Sequence, residues 1–281
     1  MSNILKAFIN IVNNYQSSIS TLASGNNRAN SMGEGLEQFI QNAFANTFEV
    51  EDESARLESF ENTFSYQGNQ NNPPDLILHN SDAIEIKKLQ SKSSAIALNS
   101  SYPKAKLEAN SPMITQKCKE CEEWSIKDML YAIGYIPSKS DTLKSLWFVY
   151  GDCYCADSEI YERIKTKISE GINTIPYIEF AQTKELGKVK KVDPLGITDL
   201  RIRGMWHIAN PNKVFEYLHT YNESSAFEMV ALMSRDKYSA MPLVDRERVE
   251  SMENIEVKNI KIKNPNNPVK LMDGVMLVFK I

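Results

Sequence analysis

At 281 residues the chain is long enough for one sizeable domain with a substantial buried interior. Its 42% hydrophobic and 24% charged residues are ordinary for a soluble globular protein, and no apolar run reaches membrane-spanning length. The net charge of −4 does not mark the whole chain as a nucleic-acid binder, and the N-terminus lacks a signal peptide's layout, so the cytoplasm is the expected location.

Ile4, Leu5, Phe8, Ile9 and Val12 fall at helical spacing and predict an amphipathic N-terminal helix. A polar loop over Asn26 to Asn30 follows, then a second helix over about 29–47 with Met32, Leu36, Phe39, Ile40, Phe44 and Phe48 as its buried stripe. Glu37 borders that stripe, whereas Glu34 falls with Gln38 and Gln41 on the polar side. Glu37 is therefore the better candidate for a working carboxylate, with a snorkelling surface glutamate as the plain alternative. Gly33 and Gly35 each cost such a helix about 1 kcal/mol relative to alanine. Close approach of a DNA backbone, or tight packing on the next hairpin, would explain them. A strand is expected over 60–66.

The stretch from Pro73 to Lys92 carries the chemistry. Asp75 to His79 and Ala83 to Lys87 each alternate with period two, and Asn80-Ser81-Asp82 between them has turn composition. A three-residue loop centred on Ser81 sets Ile77 opposite Glu85 and Asp75 opposite Lys87. Asp75, Glu85 and Lys87 then share one face, and Leu76, Leu78, Ile84 and Ile86 form an apolar face. Two carboxylates on a rigid hairpin suit a hard divalent cation, and a neighbouring lysine can hold an attacking water or offset phosphate charge. A solvated edge hairpin is the bland alternative. Asp245 with Glu256-Val257-Lys258 repeats the spacing, but Val244 to Ile255 has helix-like intervals and no turn between two strands.

Charge is segregated along the chain. Lys87, Lys88, Lys92, Lys104 and Lys106 fall in an acid-free stretch over 86–107, while six acids and one arginine fall over 49–61. Asn99, Ser100, Ser101, Tyr102 and Lys104, after a Ser-rich run, are side chains that hold phosphates and sugars; a plain loop is the alternative. A helix is expected over 124–135, a buried strand over 146–151, a helix over 158–170, and strands over 175–181 and 197–208. Helix and apolar strand in succession fit a mixed α/β sheet. Arg201 and Arg203, two apart on a strand, face one way, and arginines read guanine through N7 and O6; phosphate binding or simple solvation is the alternative for either alone.

Cys118-x2-Cys121 and Cys153-x-Cys155 are compatible with a Zn²⁺ site or with free thiols, and the tight second spacing favours thiols. His79, His207 and His219 support no Ser-His-Asp set. His79 reads as a structural histidine near the hairpin tip.

PD, then ExK, with an upstream GxxxE (Gly33 to Glu37), resembles the PD-(D/E)XK nuclease superfamily. NNRANSMGEGLE, PPDLIL, AIEIKKLQS, IALNSSYPK, SLWFVYGDCY and RIRGMWHI, in order over most of 4–218, resemble the NgoPII-type family of type II restriction endonucleases. The resemblance implies an α/β fold, a restriction-endonuclease-like mixed sheet flanked by helices. It would form a single domain over 1–281, with a catalytic core over about 29–182 and DNA-recognition elements over about 90–110 and 184–210. No role is assigned to 221–281.

It also implies Mg²⁺-dependent cleavage of double-stranded DNA at a short palindrome, GGCC in relatives, by a homodimer, with a DNA methyltransferase protecting host sites. Asp75 and Glu85, with the Ile86 carbonyl, are the implied metal ligands; Lys87 orients or helps deprotonate the water, and Glu37 supports from the helix. Asn27, Arg28, Asn30, Lys88 and Lys92 join Asn99, Ser100, Ser101, Tyr102, Lys104, Arg201 and Arg203 as candidate DNA contacts. A junction resolvase or repair nuclease on the same core, or a DNA-binding protein without catalysis, stands as the alternative.

Overall fold

The computed structural model describes residues 1–15, 28–69 and 72–281, apart from the side chains of 28–32 and 69. Helices α1 (Ile4–Asn14), α2 (Arg28–Ala45) and α3 (Glu53–Thr63) precede strands β1 (Phe64–Asn69), β2 (Asn72–Leu78), β3 (Ala83–Leu89), β4 (Ile96–Ala97) and β5 (Lys106–Glu108). Next come α4 (Gln116–Lys119), β6 (Ile126–Tyr135), β7 (Ser145–Tyr150), α5 (Gly151–Tyr154) and α6 (Ser158–Asn173). Short pieces follow: β8 (Glu179–Ala181), β9 (Gly187–Lys190), β10 (Leu200–Ile202), β11 (His207–Ile208) and α7 (Pro211–Val214). The chain closes with β12 (Glu228–Ser234), α8 (Arg235–Ala240), α9 (Leu243–Glu250), β13 (Ile255–Asn264) and β14 (Asn267–Lys280).

The main sheet runs β1-β2-β3-β6-β7-β12-β14-β13. The β3/β6 and β7/β12 pairs are parallel and the other neighbours antiparallel, so the sheet is mixed. Both faces are covered. Leu76, Leu78, Ile84 and Ile86 pack with α1 and α2 residues such as Phe8, Leu36 and Ile40, as the hairpin's alternation predicts. Ile77 and Ala83 turn to the other face, where they join Met129, Ile133, Trp147 and Phe215. The hairpin's odd-numbered face is therefore apolar near its tip and polar only towards Asp75, Glu85 and Lys87.

Four expectations change. Residues 126–135 form strand β6 instead of a helix. Met129, Leu130, Tyr131, Ala132 and Ile133 are buried on both faces of the sheet, so a continuous apolar run here marks a central strand. Residues 60–63 close helix α3, whose start is capped by Asp52 accepting from the Ala55 amide at 2.9 Å; the strand begins only at Phe64. Helix α2 has begun by Arg28, inside the expected polar loop. The strands expected over 175–181 and 197–208 shrink to β8 and to β10 and β11.

Residues 221–281 supply one side of the sheet, β12, β14 and the edge strand β13, and all of β12 is buried between β7 and β14. Asp245, the acid of the decoy spacing, lies on α9 and accepts from Asn3 Nδ2 at 2.7 Å. Asn3 also caps α1 by accepting from the Lys6 amide, so one side chain ties the first helix to the last. Among the described residues no helix is long and apolar enough to cross a membrane.

Candidate active site

Strands β2 and β3 pair as Leu76↔Ile84 and Ile77↔Ala83. The loop closes with the Leu78 amide donating to Asp82 O at 3.0 Å and the Ser81 amide to Leu78 O at 3.1 Å. Its centre is Asn80, whose φ of 53° is a left-handed conformation that asparagine tolerates. The register thus differs by two residues from the one centred on Ser81. An even shift leaves every side chain on its expected face; a shift of one would have inverted them all.

On the polar end of that face, Lys87 Nζ lies 2.6 Å from Glu85 Oε1 and 4.0 Å from Asp75 Oδ2. Asp75 Oδ2 also accepts from the Ile86 amide at 2.6 Å. Burial pushes the Asp75 carboxyl up to about 8; Glu85 adds to the rise, while Lys87 and the Ile86 amide oppose it. Burial also disfavours the Lys87 ammonium, but Glu85 and Asp75 outweigh it and hold its pKa above the ordinary lysine value. Those two acids favour the charged form of Lys87. Glu37, half-buried on α2, is raised by burial, with Lys87 opposing and Glu34 and Glu85 adding. It belongs to the same electrostatic group although it does not line the cleft.

Glu85 Oε2 is buried and has no hydrogen-bond partner. An orphaned carboxylate oxygen beside a second buried acid fits a cation, which would satisfy the one and lower the cost of ionising the other. Among the described residues no three His, Cys, Asp or Glu side chains form a ready cage. A hard cation would complete its shell with main-chain, water or phosphate oxygens.

These residues open into a cleft of about 630 Å³ with a second wall that carries, among its other lining residues, Asn99, Ser100, Glu185, Arg201 and Arg203, all remote from them in sequence. The wall is built by pairing two distant stretches. β4 and β11 align as Ile96↔Ile208 and Ala97↔His207, extended by the Leu98 amide to Trp206 O and the Trp206 amide to Asn99 O, each at 2.8 Å. The LNSSYPK and RIRGMWHI segments therefore form one unit. Arg201 and Arg203 do face one way: the Nε of each lies 3.2 Å from Glu185 Oε2.

The profile of the NgoPII restriction endonuclease family matches residues 2–264. The chain is also 43% identical over 279 residues to the type II restriction enzyme NgoPII of Neisseria gonorrhoeae, covering 99% of this chain and 100% of that one. The chain belongs to the NgoPII restriction endonuclease family. Membership makes it a site-specific DNA endonuclease of a class that depends on divalent metal. No solved structure matches it.

Other candidate contacts of this family member are distributed unevenly. Lys104 borders a smaller hollow beside Glu85, with its ammonium 3.0 Å from Ser101 Oγ and 4.0 Å from the Tyr102 ring centre. Burial pulls its pKa down to about 8. Tyr102 stacks on Tyr161 at 5.3 Å and meets Trp206 edge-on, fastening the loop to α6. Lys88 and Lys92 do not line the cleft, and Lys92 pairs with Glu223. Asn27 lies outside the described residues, as do the side chains of Arg28 and Asn30 on α2. A Cβ on Gly33 would meet nothing within 4 Å, so it is not packed on the hairpin. Gly134 of β6 receives α2 instead, with Leu36 Cδ2 2.8 Å from where its Cβ would sit.

The four cysteines are free, and they do not converge on a common centre among the described residues. Burial pushes the Cys118 and Cys155 thiols up to about 12 each. His79 bonds the Glu61 carbonyl at 2.8 Å, a structural role. Sequence reading passed over Glu185. Its only signal there is that it is one of three acids among the six basic residues of 184–203.

Proposed function

We propose that the protein is a cytoplasmic type II restriction endonuclease that hydrolyses both strands of duplex DNA at GGCC with Mg²⁺, acting as a homodimer. Asp75 and Glu85, with the Ile86 carbonyl, would hold Mg²⁺, which polarises the scissile phosphate and favours hydroxide at neutral pH. The observation that carries this reading is the orphaned Glu85 Oε2 beside buried Asp75 at the floor of an open cleft.

Lys87, held charged by its two acids, donates to the attacking water or a phosphate oxygen and offsets developing negative charge. Glu37 supports the same group from α2. Water adds to phosphorus in line, the P–O3′ bond breaks, and the products are a 5′-phosphate and a 3′-hydroxyl. Asn99, Ser101 and Lys104 hold the backbone, with Asn27, Arg28, Asn30, Lys88 and Lys92 as outer contacts. Arg201 and Arg203 read guanines.

Residues 29–182 make the catalytic core of one domain, with recognition elements over 90–110 and 184–210. A palindromic target favours a two-fold dimer, one active site per strand. A companion methyltransferase would protect the host's own sites.

Digestion of a fully sequenced DNA with Mg²⁺, followed by mapping of every end, tests the proposal. A fragment set ending only at GGCC supports it. Ends at another sequence would overturn the assigned site, and metal-independent scission would overturn the assigned chemistry.

A further inference from the structure

Glu185 occupies an unusual position in the cleft wall. Its Oε1 accepts from the Ser100 hydroxyl at 2.7 Å, and its Oε2 lies 3.2 Å from Nε of both Arg201 and Arg203. The carboxylate side chain is only 10% exposed, whereas the arginine side chains are 53% and 60% exposed. Ion pairs to exposed arginines add little to stability. Burying an acid to make two of them, in the same cleft as the catalytic acids, points to recognition.

A guanidinium has five N–H donors, so one engaged through Nε keeps the four on its Nη nitrogens. Two such ends drawn to one carboxylate oxygen, Arg201 by a hydrogen bond and Arg203 by an ion pair, keep a set spacing and lose less freedom on binding than two unrestrained arginines. We propose that Glu185 is the positioning residue of the base-reading group: anchored by Ser100, it presents Arg201 and Arg203 as a fixed pair to guanine edges in the major groove of bound DNA. The inference rests on the endonuclease reading above. In addition, Glu185 offsets part of the arginines' charge, which limits the sequence-independent attraction to phosphates.

The test is Glu185→Gln, which keeps the size of the side chain and removes its charge, with Ser100→Ala as a milder second variant. The readouts are kcat/KM on duplexes carrying the mapped site or that site with one base pair changed, the salt dependence of binding, and thermal melting. The ratio of cognate to altered duplex should fall about ten- to a hundredfold in Glu185→Gln and less in Ser100→Ala. Binding to unrelated DNA should strengthen and grow more salt-dependent, with melting little changed.

Unchanged discrimination in both variants would overturn the inference, as would an equal loss of kcat on all duplexes with a lowered melting temperature. If Glu185→Gln does not fold, an unchanged ratio in Ser100→Ala still overturns it. If the unaltered chain cuts no defined sequence, the endonuclease reading fails first and takes this inference with it. If it cuts one and only the variants' discrimination is unmoved, Glu185 alone is misassigned.

Discussion

Asp75 sits where a charge is costly, held among buried groups with a carboxylate neighbour. Replacing it with Asn keeps an acceptor for the Ile86 amide and removes the acid, so Asp75→Asn should lose DNA cleavage while its melting temperature stays level or rises. A fall in melting temperature with cleavage retained would contradict the assigned role. Lys87→Ala should lower kcat by about 10²- to 10³-fold with DNA affinity largely kept, measured by single-turnover cleavage and metal-free binding. At this scale the sequence was most informative. The parity of 75, 85 and 87 survived a wrong loop centre, because period-two alternation fixes faces even where it does not fix partners. Glu185 was illegible because its meaning comes from Ser100 and the arginines, which approach it only after the chain folds.

Elements were read well where one periodicity dominated, as in α1, α2, β7 and α6, and poorly where two fitted. Trp124, Met129, Leu130 and Ile133 satisfy helical spacing, yet the same residues suit a strand buried on both faces, and sheet context chose the strand. The β4–β11 ribbon could not be foreseen, since its two strands are very short and lie about a hundred residues apart. Gly151 shows how tightly these elements depend on each other. A Cβ there would lie 2.5 Å from Lys104 O and 2.7 Å from Ala105 Cα, backbone atoms that cannot swing aside. Gly151→Ala should therefore cost roughly 1–3 kcal/mol and push the loop that carries Ser101 and Lys104. Denaturant unfolding and cleavage assays check both parts, and unaltered values in each would show that the junction has slack.

Across the whole molecule, the last sixty residues carry more of the architecture than their sequence announces. β12 and the second half of β14 are apolar runs without a motif, so nothing in them revealed that they extend the sheet beyond β7. A chain ending at residue 220 lacks the parallel neighbour of β7 and leaves that strand's backbone as an unpaired sheet edge. It should show no cooperative unfolding transition by circular dichroism; a truncated chain that melts cooperatively would separate the catalytic hairpin from this dependence. The same strand order bears on how a cell survives making a DNA-cutting protein. The acids near residue 80 leave the ribosome early, but the sheet they belong to lacks β12, β14 and β13, its whole far side, until residues 228–280 have been translated. Nascent and prematurely terminated chains are harmless on this account, and cutting power arises only on completion of synthesis.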